Sequence, residues 1–210
     1  MNDQAPDSEG TLLLLETAAS GDNAAFEKLF DRHRAHLRQY IELRMDWRLR
    51  QRLDVSDVLQ ETQWEVYRRL RDYSQRRPMP LRVWLRKTAL ERLLNLREKH
   101  IAANRRTSTR ELPLPEASSL ALAKQLIAKG ASPSEQLVER ERKEAVVQAI
   151  SQLPNADREI LLMRNIEGLD YTEIGYSLEI TPAAARKRFG RALLRLEQCL
   201  RANGWSDASS

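Results

Sequence analysis

A chain of 210 residues, 41% hydrophobic and 31% charged, has material for one medium domain or two small ones with much exposed surface. Its 35 Lys and Arg against 30 Asp and Glu leave a net charge of +5, which suits an anionic partner, while a single cysteine excludes a disulfide or thiolate-cluster scaffold. Only 7 glycines and 8 prolines punctuate the chain, and β-branched alternating runs are absent, so the fold class is read as all-α. The apolar run Leu12–Leu15 is too short to span a bilayer and follows acidic residues rather than a basic segment. No membrane insertion and a cytoplasmic location are expected.

In chain order, residues 1–11 are expected to be a disordered tail and 12–101 a first helical domain. Gly21-Asp22-Asn23 opens a helix whose apolar face runs through Phe26, Leu29, Phe30, Leu37, Tyr40 and Ile41. Asp54 and Asp57 form an N-terminal capping pair for the next helix, predicted to bury Val58, Leu59, Val66, Tyr67 and Leu70. Tyr73 to Pro80 reads as a loop because Arg76-Arg77-Pro78-Met79-Pro80 does not sustain a helix, and a further helix runs from Leu81 to about His100. Residues 102–134 mix Ser, Thr, Pro and charge without sustained period and read as a linker rather than core, with a short helix around Leu120–Ile127. A second domain is expected over 135–201, followed by a tail at 202–210.

That second domain carries two helix starts separated by a tight turn. Asp170-Tyr171-Thr172-Glu173 reads as a capping box, and Thr181-Pro182 as an N-cap followed by proline at the first helical position. Beyond Thr181, Ala185, Phe189, Ala192, Leu193, Leu196 and Leu200 recur at helical spacing, while Arg186, Lys187, Arg188, Arg191 and Arg195 supply positive charge. A short helix, a turn and a basic helix describe a helix-turn-helix suited to a DNA major groove. The competing reading is a plain helical hairpin whose charges face water. The architecture is therefore two small helical domains joined by a linker, the C-terminal one a helix-turn-helix. Residues 1–31 are acidic, with Lys28 the only Lys or Arg, whereas 186–201 hold six cations against Glu197, so nucleic-acid contacts are expected away from the N-terminus.

No convergent reactive set emerges. His33, His36 and His100 are the only histidines, and His33 and His36 near Asp31 are better read as surface residues than as metal ligands. There is no glycine-rich phosphate loop and no nucleophile elbow. No catalytic residue, metal or cofactor is assigned. The helix from Asp54 shows Asp57, Gln60, Glu61 and Glu65 on its polar side, a surface suited to a basic protein, and the helix from Leu81 shows Arg82, Arg86, Lys87 and Arg92.

Taken together the chain resembles the sigma-70 family of sigma factors, specifically the small extracytoplasmic-function group, over about residues 12–100 and 135–200. The resemblance rests on Gly21-Asp22, Ala25-Phe26-Glu27 and Leu29-Phe30, on Asp54 through Glu61, and on Trp84-Leu85 with Ala89. In the second domain it rests on Leu153-Pro154, Arg158, Glu167-Gly168-Leu169, Tyr171, Glu173-Ile174, Leu178 and Arg188 through Ala192. It implies a non-enzymatic factor that binds core RNA polymerase and directs it to double-stranded, locally melted promoter DNA. Contacts with the β′ clamp are implied for Asp54, Asp57, Gln60 and Glu61. The −10 element falls to Arg76, Arg77, Arg86, Lys87, Glu91 and Asn95, and the −35 element to Thr181, Ala184, Arg186, Lys187, Arg188 and Arg191. The β flap is a further implied contact, and an anti-sigma factor a further partner. The chain departs from the family at Gln63, where Phe is common, at Gly175-Tyr176, and at Ala185, where a β-branched residue is frequent. A stand-alone helix-turn-helix regulator and a polymerase-binding anti-activator remain as alternative readings.

Overall fold

The computed structural model describes residues 9–101, 115–128 and 145–203, all helix and connection, with no strand among them. The chain divides into two compact units, Met1–Leu112 and Pro113–Ser210.

In the first unit, α1 (Glu9–Ala19) leads through Gly21 into α2 (Asn23–Arg44). Gly21 takes φ +108°, a left-handed conformation that glycine adopts without steric cost. Asp22 then caps α2, accepting from the backbone N–H groups of Ala24 and Ala25 at 2.8 and 3.0 Å. A short α3 (Trp47–Arg50) precedes α4 (Val55–Arg76), and α5 (Leu81–Ile101) packs across α2 and α4. Phe30, Ile41, Val58, Val66, Leu81 and Leu93 meet in one core. The segment expected as a tail overlaps α1, because Glu9 to Thr11 are helical and Thr11 is buried, accepting from Arg32 at 3.3 Å. Residues 1–8 lie outside the described residues.

The expected loop from Tyr73 is also shorter. α4 continues to Arg76 and is capped by Arg77 in the left-handed region, φ 38°. Tyr73 and Trp84 stack with centroids 4.3 Å apart, and the Tyr73 hydroxyl donates to the Met79 carbonyl at 2.8 Å. These two contacts hold the 77–80 connection against the helices on either side.

The second unit comprises α6 (Glu116–Ala128), a helical stretch α7 over 145–152, α8 (Asn155–Asn165), α9 (Tyr171–Leu178) and α10 (Pro182–Ala202). Part of the segment read as linker is thereby reassigned. Leu122 and Ala123 of α6 are fully buried in the core with Ala149, Ile150, Ile160 and Leu161, so α6 supplies apolar surface that a small helical unit needs. Residues 102–114, 129–144 and 204–210, which include the remainder of that segment and most of the second tail, lie outside the described residues.

His33 is not the surface residue that its helix suggested. It is buried in α2, its Nε2 has no hydrogen-bond partner among the described residues, and burial first, then His36 and the Arg82 and Arg32 guanidinium groups, lowers its pKa to about 4. The unfolded chain binds the proton at the ordinary 6.5 and the folded one only near 4, so folding stability falls as pH drops through that window. The expected loss from this residue is about 3 kcal/mol, at 1.36 kcal/mol per pH unit. Urea unfolding at pH 7 and pH 4.5 should show a distinctly shallower pH dependence in His33→Gln; parallel slopes in the two proteins would remove His33 as the cause.

Candidate functional site

Two surfaces carry the residues expected to function, one in each unit. In the first, α4 begins with reciprocal caps: the Ser56 N–H donates to the Asp54 carboxylate at 2.7 Å, and the Asp54 N–H donates to Asp57 at 2.8 Å. The Ser56 N–H, followed by the Ser56 hydroxyl, holds the Asp54 carboxyl below the usual carboxylate range. Asp54 and Asp57 are thus both exposed and both engaged in starting the helix, while Gln60 and Glu61 follow on the exposed side. One helical turn further stands Trp64, 63% exposed, with Tyr67 at 41%. Tyr67 was expected inside; its hydroxyl instead donates to Asn23 at 2.9 Å across the surface between α2 and α4. A groove of about 520 Å³ opens here, lined by Phe26, Glu27, Gln63, Trp64 and Tyr67 among others.

Glu65, read as part of the polar face, is buried at 6% exposure. It pairs with Arg69 one turn along α4, with Arg68 at 3.6 Å and with Arg92 of α5 at 3.8 Å. The same α5 surface therefore loses most of the open positive charge expected of it. Arg92 turns back to Glu65, and Arg86 is buried with its guanidinium 4.6 Å from the Tyr40 ring centroid. Arg86 is accordingly corrected from a surface DNA contact to a core cation.

The other residues expected at the −10 element divide. Arg76 pairs with Asp72 at 3.0 Å and Arg77 with Glu16 of α1 at 2.9 Å. Glu91 accepts from Arg69 at 2.9 Å. Lys87 and Asn95 are exposed, and with Glu91 they follow one another at four-residue spacing along a single face of α5.

In the second unit the capping box at α9 forms as its sequence predicts, Glu173 N–H to Asp170 at 2.8 Å and Asp170 N–H to Glu173 at 2.9 Å. Thr181 caps α10, accepting from Ala184 N–H at 3.2 Å, and Pro182 takes the first turn. The intervening turn is tight: Glu179 adopts φ 56°, and the Ile180 N–H donates to the Gly175 carbonyl at 3.0 Å. A Cβ built on Gly175 would lie 2.8 Å from the Ile180 carbonyl oxygen, so the close approach needs glycine. Ala185 is fully buried beneath this turn, with Ala192 and Leu196 continuing the inner face; Leu193, expected there, is 39% exposed.

Arg186, Lys187 and Arg191 are exposed and Arg188 and Ala184 half-buried. Arg186 and Arg164 lie 5.2 and 5.1 Å from the Tyr171 ring, which meets Phe189 edge to face. Arg195 leaves the cationic group and binds the buried Asp157 of α8 at 2.5 Å. What remains at the start of α10 is a cluster of four cations next to a capped helix end, the chemistry of a phosphate- and base-contacting surface.

Residues 143–196, covering this unit from α7 to α10, match the family model described as Sigma-70, region 4. Over 138 residues the chain is 33% identical to the probable RNA polymerase sigma factor RfaY of Xanthomonas campestris pv. campestris, covering 65% of this chain and 32% of that protein. It is 27% identical over 191 residues to the RNA polymerase sigma factor CnrH of Cupriavidus metallidurans, covering 91% of this chain and 94% of CnrH. The second unit thus carries a sigma-70 region 4 domain, and the relatives that the chain resembles are sigma factors. The chain spans about a third of the length of RfaY and nearly all of CnrH, whose size agrees with the small extracytoplasmic-function group. A solved structure of CnrH in complex with the cytosolic domain of CnrY shares the fold, with a TM-score of 0.57 at 23% identity, covering 92% of this chain and 99% of that one.

Within this family fold, replacing Gly175 by Ala should destabilise the second unit. Forcing a methyl against a backbone carbonyl costs about 1–3 kcal/mol, offset by at most about 1 kcal/mol of helix propensity. Gly190, where a Cβ would meet nothing within 4 Å, is the internal comparison: Gly190→Ala should be neutral or stabilising by up to about 1 kcal/mol. Denaturation of both variants checks the pair, and an unchanged midpoint for Gly175→Ala would refute the close-packing account.

Proposed function

We propose that the protein is a sigma factor that binds core RNA polymerase and directs initiation at a class of promoters through −10 and −35 recognition, without enzymatic activity of its own. The observation that carries this reading is the pairing, on one chain, of a region-4 helix-turn-helix with a separate unit whose capped α4 presents Asp57, Gln60 and Glu61 to solvent. A DNA-binding regulator acting alone would leave that acidic face without a use.

In this mechanism Asp57, Gln60 and Glu61 meet a basic helix of the β′ clamp, with Asp54 acting chiefly through the helix cap. The β flap contacts the second unit. Thr181 and Ala184 bring the start of α10 against the −35 groove, Arg186, Lys187, Arg188 and Arg191 divide between phosphates and base edges, and each good bidentate base contact is worth about 1–3 kcal/mol of discrimination. The 77–80 connection and the Lys87, Glu91 and Asn95 face of α5 hold the melted −10 strand. Arg76 and Arg77 join in by exchanging their present carboxylate partners for phosphates. Unstacking a −10 base costs a few kcal/mol, which binding offsets, since the sequence has no nucleotide-hydrolysis motif. The complex of CnrH with the cytosolic domain of CnrY supports a regulatory protein partner of the anti-sigma kind for this chain as well. No described helix is long and apolar enough to cross a membrane, and the proposed action is cytoplasmic, beside the polymerase.

Charge reversal at Asp57 and Glu61 should weaken core-polymerase binding at least tenfold while leaving the full chain's affinity for −35 duplex unchanged. Because Asp57 also caps α4, a role worth about 1 kcal/mol, Glu61→Lys alone gives the cleaner reading. Equal loss of both affinities would sink the assignment.

Arg188→Ala and Arg191→Ala should each lower −35-dependent run-off transcription from a promoter library with core polymerase. Undiminished transcription with the same promoter selection would count against their role.

A further inference from the structure

The groove between α2 and α4 differs chemically from the acidic face beside it. Phe26 and Tyr67 meet edge to face with centroids 5.0 Å apart, and Trp64 stacks on Tyr67 at 6.5 Å with 24° between their planes. On the α2 side Glu27 supplies a carboxylate that accepts from the Gln63 amide at 2.9 and 3.0 Å, and Asn23 accepts from Tyr67. These hydrogen bonds tie the two helices together, so the groove exists before any partner arrives. An indole left 63% exposed beside a half-open phenol is an apolar patch of the kind that marks an interaction surface.

Aromatic faces flanking a carboxylate attract a cation, and a planar guanidinium satisfies both at once, stacking on the rings and donating in a fork to the acid. A neighbouring arginine already behaves this way at the margin. Arg34 is paired with Asp31 at 2.7 Å, lies 5.2 Å from the Phe30 ring and donates to Gln63 at 3.4 Å. The groove is continuous with the acidic face, because positions 57, 60, 61, 64 and 67 follow at three- and four-residue steps along one stripe of α4. Asp57 and Glu61 along that stripe, with Glu27 across the groove on α2, repel phosphate and favour a basic protein.

We propose that this groove anchors the docking face by taking one arginine side chain from a basic helix of core RNA polymerase, its guanidinium stacked on Trp64 and paired with Glu27. The assignment rests on the polymerase-docking reading above and adds to it the residue type that the partner must present. Aromatic residues and arginine dominate interface energetics, so the anchor is expected to carry a large share of the affinity.

The test titrates the full-length protein, fluorescently labelled, against purified core polymerase, with Glu61→Lys as reference. Trp64→Leu and Glu27→Gln should each weaken binding about tenfold, whereas Trp64→Phe, which keeps a π face, should cost less than threefold. Thermal melting should be unchanged in the Trp64 variants because the side chain is exposed. Full affinity in Trp64→Leu would make the contact merely apolar and overturn the guanidinium assignment. If Glu61→Lys weakens binding but neither groove variant does, the docking face stands and the anchor is refuted. If Glu61→Lys is also without effect, the docking reading fails and takes the anchor with it. A benzophenone side chain introduced at position 64 should crosslink to a polymerase peptide containing arginine; crosslinking to promoter DNA would overturn the proposal.

Discussion

In each unit a carboxylate with under a tenth of its surface exposed is neutralised by an arginine from another helix, Glu65 by Arg92 and Asp157 by Arg195. A buried charge without a partner is far more costly than a buried pair. The pair adds less to net stability than to uniqueness, since apolar helices slide past one another more readily than a helix pinned by an ion. Glu65 sets how α5 lies on α4, and Asp157 sets how α10 lies on α8.

Such pairing explains why the first unit is less basic on its surface than its sequence. Arg92 and Arg86 are spent on Glu65 and on the Tyr40 ring, and Arg69 links Glu65 to Glu91. The outward face of α5 is left with sparse charge, Lys87 and Glu91 beside the neutral Asn95; on the reading proposed above, such a face suits bases read by hydrogen bonding as well as by phosphate attraction. The start of α10 keeps four cations together, as duplex DNA with its dense phosphate charge favours. The two units therefore differ in electrostatic character, the first balanced on α5 and the second cationic at the start of α10.

Features encoded within a few residues were legible in the sequence. The caps at Asp22, Asp54, Asp170 and Thr181, the helix-turn-helix and the all-α class follow from i to i+3 relations and helical period, and each stands as the residues indicate. What escaped depends on partners far along the chain. Glu65 and Glu61 lie four residues apart with the same charge, yet only one faces α5. Arg86 is inseparable from Lys87 by composition until Tyr40, on another helix, accepts it. A short helix was legible around Leu120–Ile127, but its place in the core was not, because Leu122 and Ala123 become core only once α8 is there to cover them.

Ala185 has no exposed surface, yet it bears on the basic residues of α10 around it. It is fully enclosed in the core of the second unit, near the start of α10 where that helix packs on α9. Its volume helps to set how α10 seats in the core, and a close-packed interior transmits a change of one or two methyl groups rather than absorbing it. On the −35 reading proposed above, promoter preference would therefore respond to a position that touches no base. Predicting a promoter from the base-contacting side chains alone would compare alphabets while ignoring the angle at which the page is held.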